Sequence, residues 1–290
     1  MMTIVYISSE YPPLTGTGGI GTYTKHIAEG MSLRGHAVHV ISRSPSTQYY
    51  EQTIKGVTIH RIPPDPFFLP QGWYLYYIRM ILRWFFYNTL VRLSWASAAA
   101  RELQRLKQSI GNIDIVEYPE CGAEGFFVRK TAGSAVIVRL HTPWYIVRKI
   151  NTIRECPGDH LLFRFLERHT IAKADCITVP TRAVVSLLKL SGNRNSVRVL
   201  PNPVAPTVKP QHTDRRLWIY TGRVERRKGV DLLIDAYFNV CQTHEPPDLL
   251  LVGAPYGIDR DGISYENKIE QRIADSPHSK KNQMDQGCCT

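Results

Sequence analysis

Apolar residues along the chain alternate between short continuous runs and segments with helical spacing. Continuous runs rich in β-branched residues predict buried parallel strands, whereas apolar residues that recur every three or four positions predict helices. The predicted strands are residues 3–8, 37–42, 57–62, 114–117, 135–140, 176–179 and 197–200, and the predicted helices are residues 21–34, 161–173 and 183–189.

This order of elements predicts an α/β fold with a doubly wound sheet, because parallel strands need crossover connections. Prolines then cluster over residues 201–210, which is typical of a link between domains. The pattern restarts with strands at residues 217–221 and 249–252, a helix at residues 230–240 and an amphipathic segment near residues 265–274.

We therefore expect two Rossmann-like domains, at residues 1–205 and 206–277. The second is predicted to be incomplete, since it supplies two strands where about six are usual in a doubly wound nucleotide-binding domain. Residues 278–290 have no apolar periodicity, and we expect a disordered or foreign tail there.

The composition adds a basic charge to this picture. Among 290 residues, 43% are hydrophobic, and 36 Lys and Arg exceed 25 Asp and Glu to give a net charge of +11. Such a surplus suits a nucleotide, an anionic lipid surface or nucleic acid, or only keeps the chain soluble. The six cysteines have no metal-binding spacing, and no basic leader precedes the first strand, so we expect a cytoplasmic protein with reduced thiols.

Glycines concentrate between the first predicted strand and helix, at Gly16, Gly18, Gly19 and Gly21. Glycines before a helix N-terminus let the backbone approach a phosphate, so Gly18 and Gly19 are candidates for a diphosphate site. A dinucleotide fingerprint is disfavoured, because its acidic ribose ligand is absent and Arg43 stands there, which would at best suit NADP. A plain structural turn is the remaining alternative.

A second loop, residues 222–229, joins a predicted strand to a helix and carries Arg223 and Lys228. Arginine can grip a diphosphate with two hydrogen bonds, and lysine adds a point charge. Cations there would stabilise a departing nucleoside diphosphate more than the bound donor. A solvated basic turn explains the same residues.

Polar residues follow two further predicted strands, at the edge where open α/β sheets bind ligands. His141 could donate a hydrogen bond to a sugar hydroxyl, with Thr142 beside it, or it could be a structural histidine. Glu117 and Glu120 could bind sugar hydroxyls, act as acid or base, or cap a helix beginning directly after them. We take His141 and Glu117 as candidate catalytic residues and Tyr118, Glu120 and Thr142 as candidate sugar contacts.

Residues 73–106 form an aromatic segment that includes Trp73 and Tyr74 and is interrupted by Arg79 and Arg83. These arginines exclude a membrane-spanning helix, which needs about twenty mostly apolar residues. We favour a core helix whose arginine stems pack along it, and a helix on a membrane surface stays open.

Together these motifs resemble glycosyltransferase family 4. The resemblance is carried by Glu-Tyr-Pro-Pro at residues 10–13, Gly-Gly-Ile-Gly at 18–21, Leu-Pro-Asn-Pro-Val at 200–204 and the phosphate-binding pattern at 221–234. It implies a GT-B fold, two Rossmann-like domains facing each other across a cleft, and sugar transfer with retention. It also implies that no metal or other cofactor is needed, and no Asp-x-Asp motif occurs.

The resemblance further implies roles for individual residues. Arg223 and Lys228 would bind the donor diphosphate, with Gly18 and Gly19 near it, and His141 would lie near the transferred sugar. The family's Glu-x7-Glu motif does not occur after residue 253, where the only similar pair is four positions apart. We therefore expect a C-terminally truncated, weakly active or inactive enzyme whose second sheet leaves an apolar face exposed.

The predicted function is that of a hexosyltransferase-type enzyme in polysaccharide biosynthesis. It would use a nucleotide-sugar and a carbohydrate or lipid-linked acceptor, in the cytoplasm or peripherally on the cytoplasmic membrane face. The alternatives are a non-catalytic membrane-surface binding protein derived from such an enzyme and an NADP-dependent oxidoreductase. Nucleic-acid binding is disfavoured, because no nucleic-acid-binding module accompanies the charge.

Overall fold

The computed structural model describes residues 1–16, 18–64, 76–130, 132–151, 156, 158–188, 196–204, 216–257 and 262–276. The chain divides into two compact units. The first comprises Met1–Tyr145 and Glu155–Pro206, and the second comprises Ile146–Arg154 and Thr207–Thr290. The predicted tail at residues 278–290 and the prolines at 206 and 210 lie outside the described residues.

The first unit alternates strands and helices in the predicted order. A further helix, α3 (Trp144–Asn151), begins in the first unit and ends in the second. The elements of the first unit are β1 (Thr3–Ile7), α1 (Gly19–Leu33), β2 (Ala37–Arg43), β3 (Tyr50–Ile54), β4 (Val57–Ile62), α2 (Tyr76–Ile110), β5 (Ile115–Pro119), β6 (Ala135–Arg139), α4 (Asp159–Ala172), β7 (Cys176–Val179), α5 (Arg182–Leu187) and β8 (Ser196–Val199).

These strands form one sheet in the order β3-β4-β2-β1-β5-β6-β7-β8. Every neighbouring pair is parallel except β3 and β4, which form an antiparallel hairpin. Its turn is Lys55–Gly56, with φ of 50° and 75°, the left-handed conformation that two-residue hairpin turns require. The sequence pattern did not predict β3, because this edge strand alternates half-buried and exposed positions and has no continuous apolar run.

The strand β1 shows why the sheet is covered on both faces. Ile4 and Tyr6 belong to a core cluster that includes Ala28 of α1, whereas Val5 and Ile7 belong to a cluster that includes Trp95 of α2. Successive strand residues point to opposite faces, so a fully apolar strand needs a helix layer on each side. The doubly wound α/β prediction is confirmed.

The helix α2 is divided by Phe86, whose φ of −136° and ψ of 27° are not helical. After this break, Trp95, Ala99 and Leu106 are buried in the core. Before it the side chains are largely exposed, so the expectation of a core helix is right for the later part of the segment and wrong for residues 76–85. The predicted aromatic residues at 73 and 74 lie outside the described residues.

The second unit contains β9 (Leu217–Thr221), α6 (Val230–Cys241), β10 (Asp248–Val252) and α7 (Tyr265–Ala274). The strands β9 and β10 pair in parallel, and both helices contribute to one core cluster with β10. Leu217, Trp218 and Ile219 of strand β9 are exposed, and the predicted exposed apolar face stays a prediction.

Candidate functional site

The glycine-rich loop after β1 is held by two buried charged side chains from distant parts of the first unit. The Arg61 guanidinium donates to the Tyr11 carbonyl at 2.9 Å and to the Thr15 hydroxyl at 2.7 Å. Glu124 accepts hydrogen bonds from the Ser9 N–H at 2.9 Å and from its hydroxyl at 2.6 Å. The loop that leads to the N-terminus of α1 is therefore fixed by the sheet around it.

The glycines of this loop differ in what they require. Gly16 has a φ of 67° and packs against Glu10, and Gly21 also packs against Glu10 and donates its N–H to that carboxylate at 3.3 Å. Gly18 caps α1 with extended backbone. Gly19 is exposed, and a Cβ added there would meet no atom within 4 Å. Close packing against Glu10 explains why residues 16 and 21 are glycines. At Gly19 no such packing occurs, and the space at the start of α1 is open.

Glu117 lies in a buried cluster at the carboxyl ends of β1, β5 and β6. The Tyr23 hydroxyl of α1 donates to its carboxylate at 2.8 Å, and the Arg139 guanidinium lies over the Tyr23 ring at 4.5 Å. Burial raises the pKa of Glu117 to about 7, although the Tyr23 hydrogen bond and the Arg139 charge oppose the rise. The cavity lined by these residues and His141 has a volume of about 10 Å³, which is space for one water molecule at most.

His141 follows β6 and is half-buried beside the same cluster. Its ring meets the Tyr23 ring edge to face, with centroids 5.2 Å apart. Burial, together with the positive charge of Arg139, lowers the pKa of His141 to about 4. The imidazole is therefore neutral at physiological pH, with one nitrogen that can donate and one that can accept a hydrogen bond.

Glu120 holds the backbone at His141 in place. Both of its carboxylate oxygens accept the His141 N–H, each at 2.9 Å, and the side chain is fully buried. Burial raises the pKa of Glu120 to about 8 against the effect of these hydrogen bonds. The helix expected after Glu120 does not form, because the chain from Cys121 makes turns in which Gly122 and Ala123 have positive φ.

The remaining predicted sugar contacts are placed differently. Tyr118 is buried in the core, where its ring packs against Gly125. Thr142 is half-buried, and its hydroxyl donates to the His141 carbonyl at 2.8 Å. Of the five polar candidates at this edge, the structure brings Glu117 and His141 into one cluster, and Glu120 supports that cluster from behind.

Glu167 of α4 connects two further loops of the first unit. It accepts the Trp144 N–H at 2.9 Å, at the start of α3, and the Gly122 N–H at 3.3 Å. Burial raises the pKa of both Glu167 and Glu124 to about 7. Buried carboxylates thus tie together the loops that follow β1, β5 and β6.

The basic loop of the second unit follows β9 and leads into α6. A Cβ at Gly253, after β10, would overlap the Gly222 carbonyl oxygen, so the two strand ends approach closely. Arg223 is half-buried with its guanidinium 4.9 Å from the Tyr256 ring centroid, and Lys228 is exposed. Within the part of the chain that the structure describes, neither cation lies within ion-pair distance of a carboxylate.

Arg227 of the same loop is engaged within the protein. It pairs with buried Glu225 at 2.6 Å, and its N–H donates to the Asn151 side chain at 3.0 Å. The Asn151 amide in turn donates to Glu225 at 2.8 Å. This network joins the end of α3 to the loop. It gives Arg227 a structural role, unlike Arg223 and Lys228, which have no ion-pair partner among the described residues.

Several important residues were not predicted from the sequence, namely Tyr23, Glu124, Arg139, Asn151 and Glu167. Arg139 carried a usable signal, because a charged residue inside an apolar strand is rarely buried without a role. The other residues had no signal in the local sequence. Tyr23, for example, contacts Glu117, which is 94 positions away in the chain. Among the described residues, no group of three His, Cys, Asp or Glu side chains could hold a metal ion.

Three solved structures with a similar fold are distant from this chain in sequence. Sucrose-phosphate synthase from Thermosynechococcus elongatus superposes with a TM-score of 0.67 at 17% identity, over 98% of this chain and 70% of that one. The catalytic domain of starch synthase IV from Arabidopsis thaliana, bound to ADP and acarbose, gives 0.61 at 14% identity, over 98% and 73%. An α,α-trehalose-phosphate synthase from Burkholderia xenovorans gives 0.57 at 14% identity, over 94% and 69%.

These likenesses confirm the predicted GT-B fold with its Rossmann-like domains. No curated protein sequence matches the chain. The family model described as Glycosyltransferase Family 4 matches residues 17–208, which include Gly18, Gly19, the Glu117 cluster and His141. Since this match covers well over half of the chain, the protein belongs to glycosyltransferase family 4.

Proposed function

We propose that this protein transfers a hexose from a nucleotide-diphosphate sugar to a carbohydrate or lipid-linked acceptor, with retention at the anomeric carbon. The observation that carries the proposal is the pair of cations in the loop between β9 and α6. Arg223 and Lys228 are held on a fixed backbone and are not neutralised by a described carboxylate. Such cations suit a diphosphate, which gains negative charge as it departs.

In this proposal the loop of the second unit binds the donor diphosphate. Arg223 is the more ordered cation, because its guanidinium lies over the Tyr256 ring and its carbonyl accepts the Tyr220 hydroxyl at 2.8 Å. Lys228 directly precedes Gly229, which caps α6 in the left-handed conformation with a φ of 66°. The N-terminus of α6 adds the positive partial charge of a helix start, which favours an anion.

The first unit contributes the sugar-binding side in this proposal. His141 is neutral and its backbone is fixed by Glu120, so one ring nitrogen is available to a sugar hydroxyl. Glu117 is enclosed by Tyr23 and Arg139 in a cavity too small for a sugar. We assign it a positioning role, in which it holds Tyr23 against the His141 ring. Gly18 and Gly19 leave the start of α1 open for the donor.

Calorimetric titration with ADP, UDP and GDP tests donor binding directly. We expect one nucleoside diphosphate to bind, and Arg223→Ala and Lys228→Ala each to weaken its binding about tenfold, as loss of a charge-assisted hydrogen bond would. Arg272→Ala is the matched control, because this exposed arginine of the same unit pairs with Asp235. Equal binding by all four proteins would refute the phosphate role of the loop.

Turnover separates an enzyme from a binding protein of the same fold. The full chain is incubated with the matching nucleotide-sugar, and release of nucleoside diphosphate and the anomeric configuration of the product are followed by NMR. Retained configuration supports the proposal, whereas inversion contradicts it. Tight nucleotide binding without release over a panel of acceptors would instead favour the non-catalytic alternative.

A further inference from the structure

The part of α2 before Phe86, together with Tyr87 just after it, projects apolar side chains into solvent. Tyr77 is 75% exposed and Trp84 is 70% exposed. Contiguous exposed apolar surface of this kind marks a site of protein or membrane interaction. The exposed residues are Tyr76, Tyr77, Ile78, Met80, Ile81, Trp84, Phe85 and Tyr87.

This patch lies within a long stretch of the chain that has no acidic residue. No Asp or Glu occurs from residue 66 to residue 101, although the chain contains 25 of them. The same stretch contains four arginines. The Arg92 guanidinium lies near the rings of Trp144 and Phe163, whereas Arg79 and Arg83 alternate in the sequence with the aromatic and aliphatic residues of the patch. The segment 76–87 therefore combines exposed apolar side chains with two arginines and no acidic residue in its sequence.

The break in α2 fixes this segment on the body of the first unit. Phe86 packs against Gly158, and Asp159 accepts the N–H groups of Asn88 at 3.2 Å and Thr89 at 3.0 Å, where the helix resumes. Asp159 is fully buried and so provides a firm anchor. The residues of α2 before Phe86 are therefore anchored at their C-terminal end, and their apolar side chains are largely exposed to solvent.

From this arrangement we propose that residues 76–87 bind the surface of an anionic lipid bilayer. Tyrosine and tryptophan favour the boundary between lipid headgroups and acyl chains, and arginines are attracted to anionic lipids. None of the described helices has the length and apolar character to cross a bilayer, so the segment lies on the surface. A second copy of the chain fits less well, because each copy carries a net charge of +11 and would present the same acid-free patch.

Vesicle co-sedimentation tests this proposal with the full chain. Sucrose-loaded vesicles of phosphatidylcholine alone are compared with vesicles that also contain phosphatidylglycerol. We expect binding to the anionic vesicles, little binding to the neutral ones, and a decrease as salt shortens the range of the attraction. The double variant Arg79→Gln/Arg83→Gln should lose about fivefold in partition coefficient for each arginine.

The apolar contribution is tested separately with Tyr77→Ala/Trp84→Ala, which should lower partitioning at least tenfold at all salt concentrations. Leu33→Ala is the matched control, because Leu33 is 85% exposed on α1 and lies outside the patch. All of these side chains are solvated, so thermal unfolding should be unchanged. Nucleotide titration should also be unchanged, which separates this proposal from the proposed transferase function.

Two results would overturn membrane binding. One is that the protein sediments equally with neutral and anionic vesicles and that neither double variant changes this sedimentation. The other is concentration-dependent association of the wild-type chain without vesicles, abolished by Tyr77→Ala/Trp84→Ala, which would assign the patch to self-association. Light scattering without lipid distinguishes the second result from the first.

Discussion

The Tyr23 hydroxyl donates a hydrogen bond to the Glu117 carboxylate at 2.8 Å and so connects the first helix to the central part of the sheet. The pair is buried, and the Arg139 guanidinium lies over the tyrosine ring. Burial makes a carboxylate costly to ionise, and the hydroxyl offsets part of that cost. The His141 ring packs against the Tyr23 ring, so the same pair also positions the candidate sugar-binding histidine.

Replacement of Tyr23 by phenylalanine should destabilise the first unit by about 1–3 kcal/mol, because it leaves a buried carboxylate without its donor. The cost should be larger at pH 8 than at pH 5, since the lost hydrogen bond favours the ionised form of Glu117. Urea unfolding at both pH values measures this difference. Tyr77→Phe, at an exposed position, is the control and should change neither value.

Stability should fall as the pH rises from about 4.5 to about 8. Burial raises the pKa of Glu117, Glu124 and Glu167 to about 7 and that of Glu120 to about 8, so the folded state retains protons that the unfolded chain releases near pH 4–5. The lowered pKa of His141 acts in the opposite sense, but only between about pH 4 and 6.5. Because four carboxyl groups oppose one histidine, the carboxyl groups dominate the pH dependence over the whole range.

The expected slope is up to about 1.4 kcal/mol per pH unit for each carboxyl group that is still protonated in the folded state. Urea unfolding across this range measures it. Glu117→Gln removes one titrating group, keeps an acceptor for Tyr23 and should flatten the curve. A stability that rises with pH in this window would contradict the assigned burial effect.

Gly19→Ala should separate folding from donor binding. No atom lies within 4 Å of the added methyl group, so the free energy of unfolding should not decrease. If the donor approaches the start of α1, the same methyl group should weaken nucleotide-sugar binding at least tenfold. Calorimetry with the donor and urea unfolding measure the two effects.

Gly30→Ala is the matched control within the same helix. Its added methyl group would lie 3.7 Å from Arg34, an ordinary contact, and should stabilise α1 by about 1 kcal/mol. Nucleotide-sugar binding should be unaffected. Equal binding by wild type and Gly19→Ala would argue that the glycine serves the turn alone.

Asn151→Ala should destabilise the second unit by about 1–3 kcal/mol, because it removes partners from buried Glu225 and from the Arg227 N–H. Chemical unfolding followed by circular dichroism measures the loss. Arg272→Gln is the comparison in the same unit, and as a member of an exposed ion pair with Asp235 it should cost less than 1 kcal/mol. Similar costs for the two variants would show that the buried network adds little.

The elements of the sheet could be predicted because their signals are local. The strands at Val57–Ile62, Cys176–Val179 and Leu217–Thr221 have the predicted bounds, since each is a short run dominated by apolar or β-branched residues. Hairpin strand β3 and helix α3 were missed. The first is an edge strand with half of its positions in water, and the second is held by Glu167 and Asn151, which contact distant parts of the chain.

The environment of the aromatic segment at residues 73–106 could not be predicted from its composition. Its tryptophans and arginines favoured a core helix and left a surface helix open, and the break at Phe86 assigns one part to each environment. No neighbour of Phe86 in the sequence indicates the break. The contacts that stabilise it come from Gly158 and Asp159, at the start of α4.

By itself the sequence determined the doubly wound fold, the two glycine-containing loops and the family resemblance, because periodicity and short motifs are properties of neighbouring residues. Only the tertiary structure decided which charges are buried and paired. It enclosed Glu117 behind Tyr23, bound Arg227 to Glu225, and left Arg223 and Lys228 without an ion-pair partner among the described residues. The physical reason is that burial and electrostatic partners depend on contacts between residues far apart in the chain, which no local pattern records.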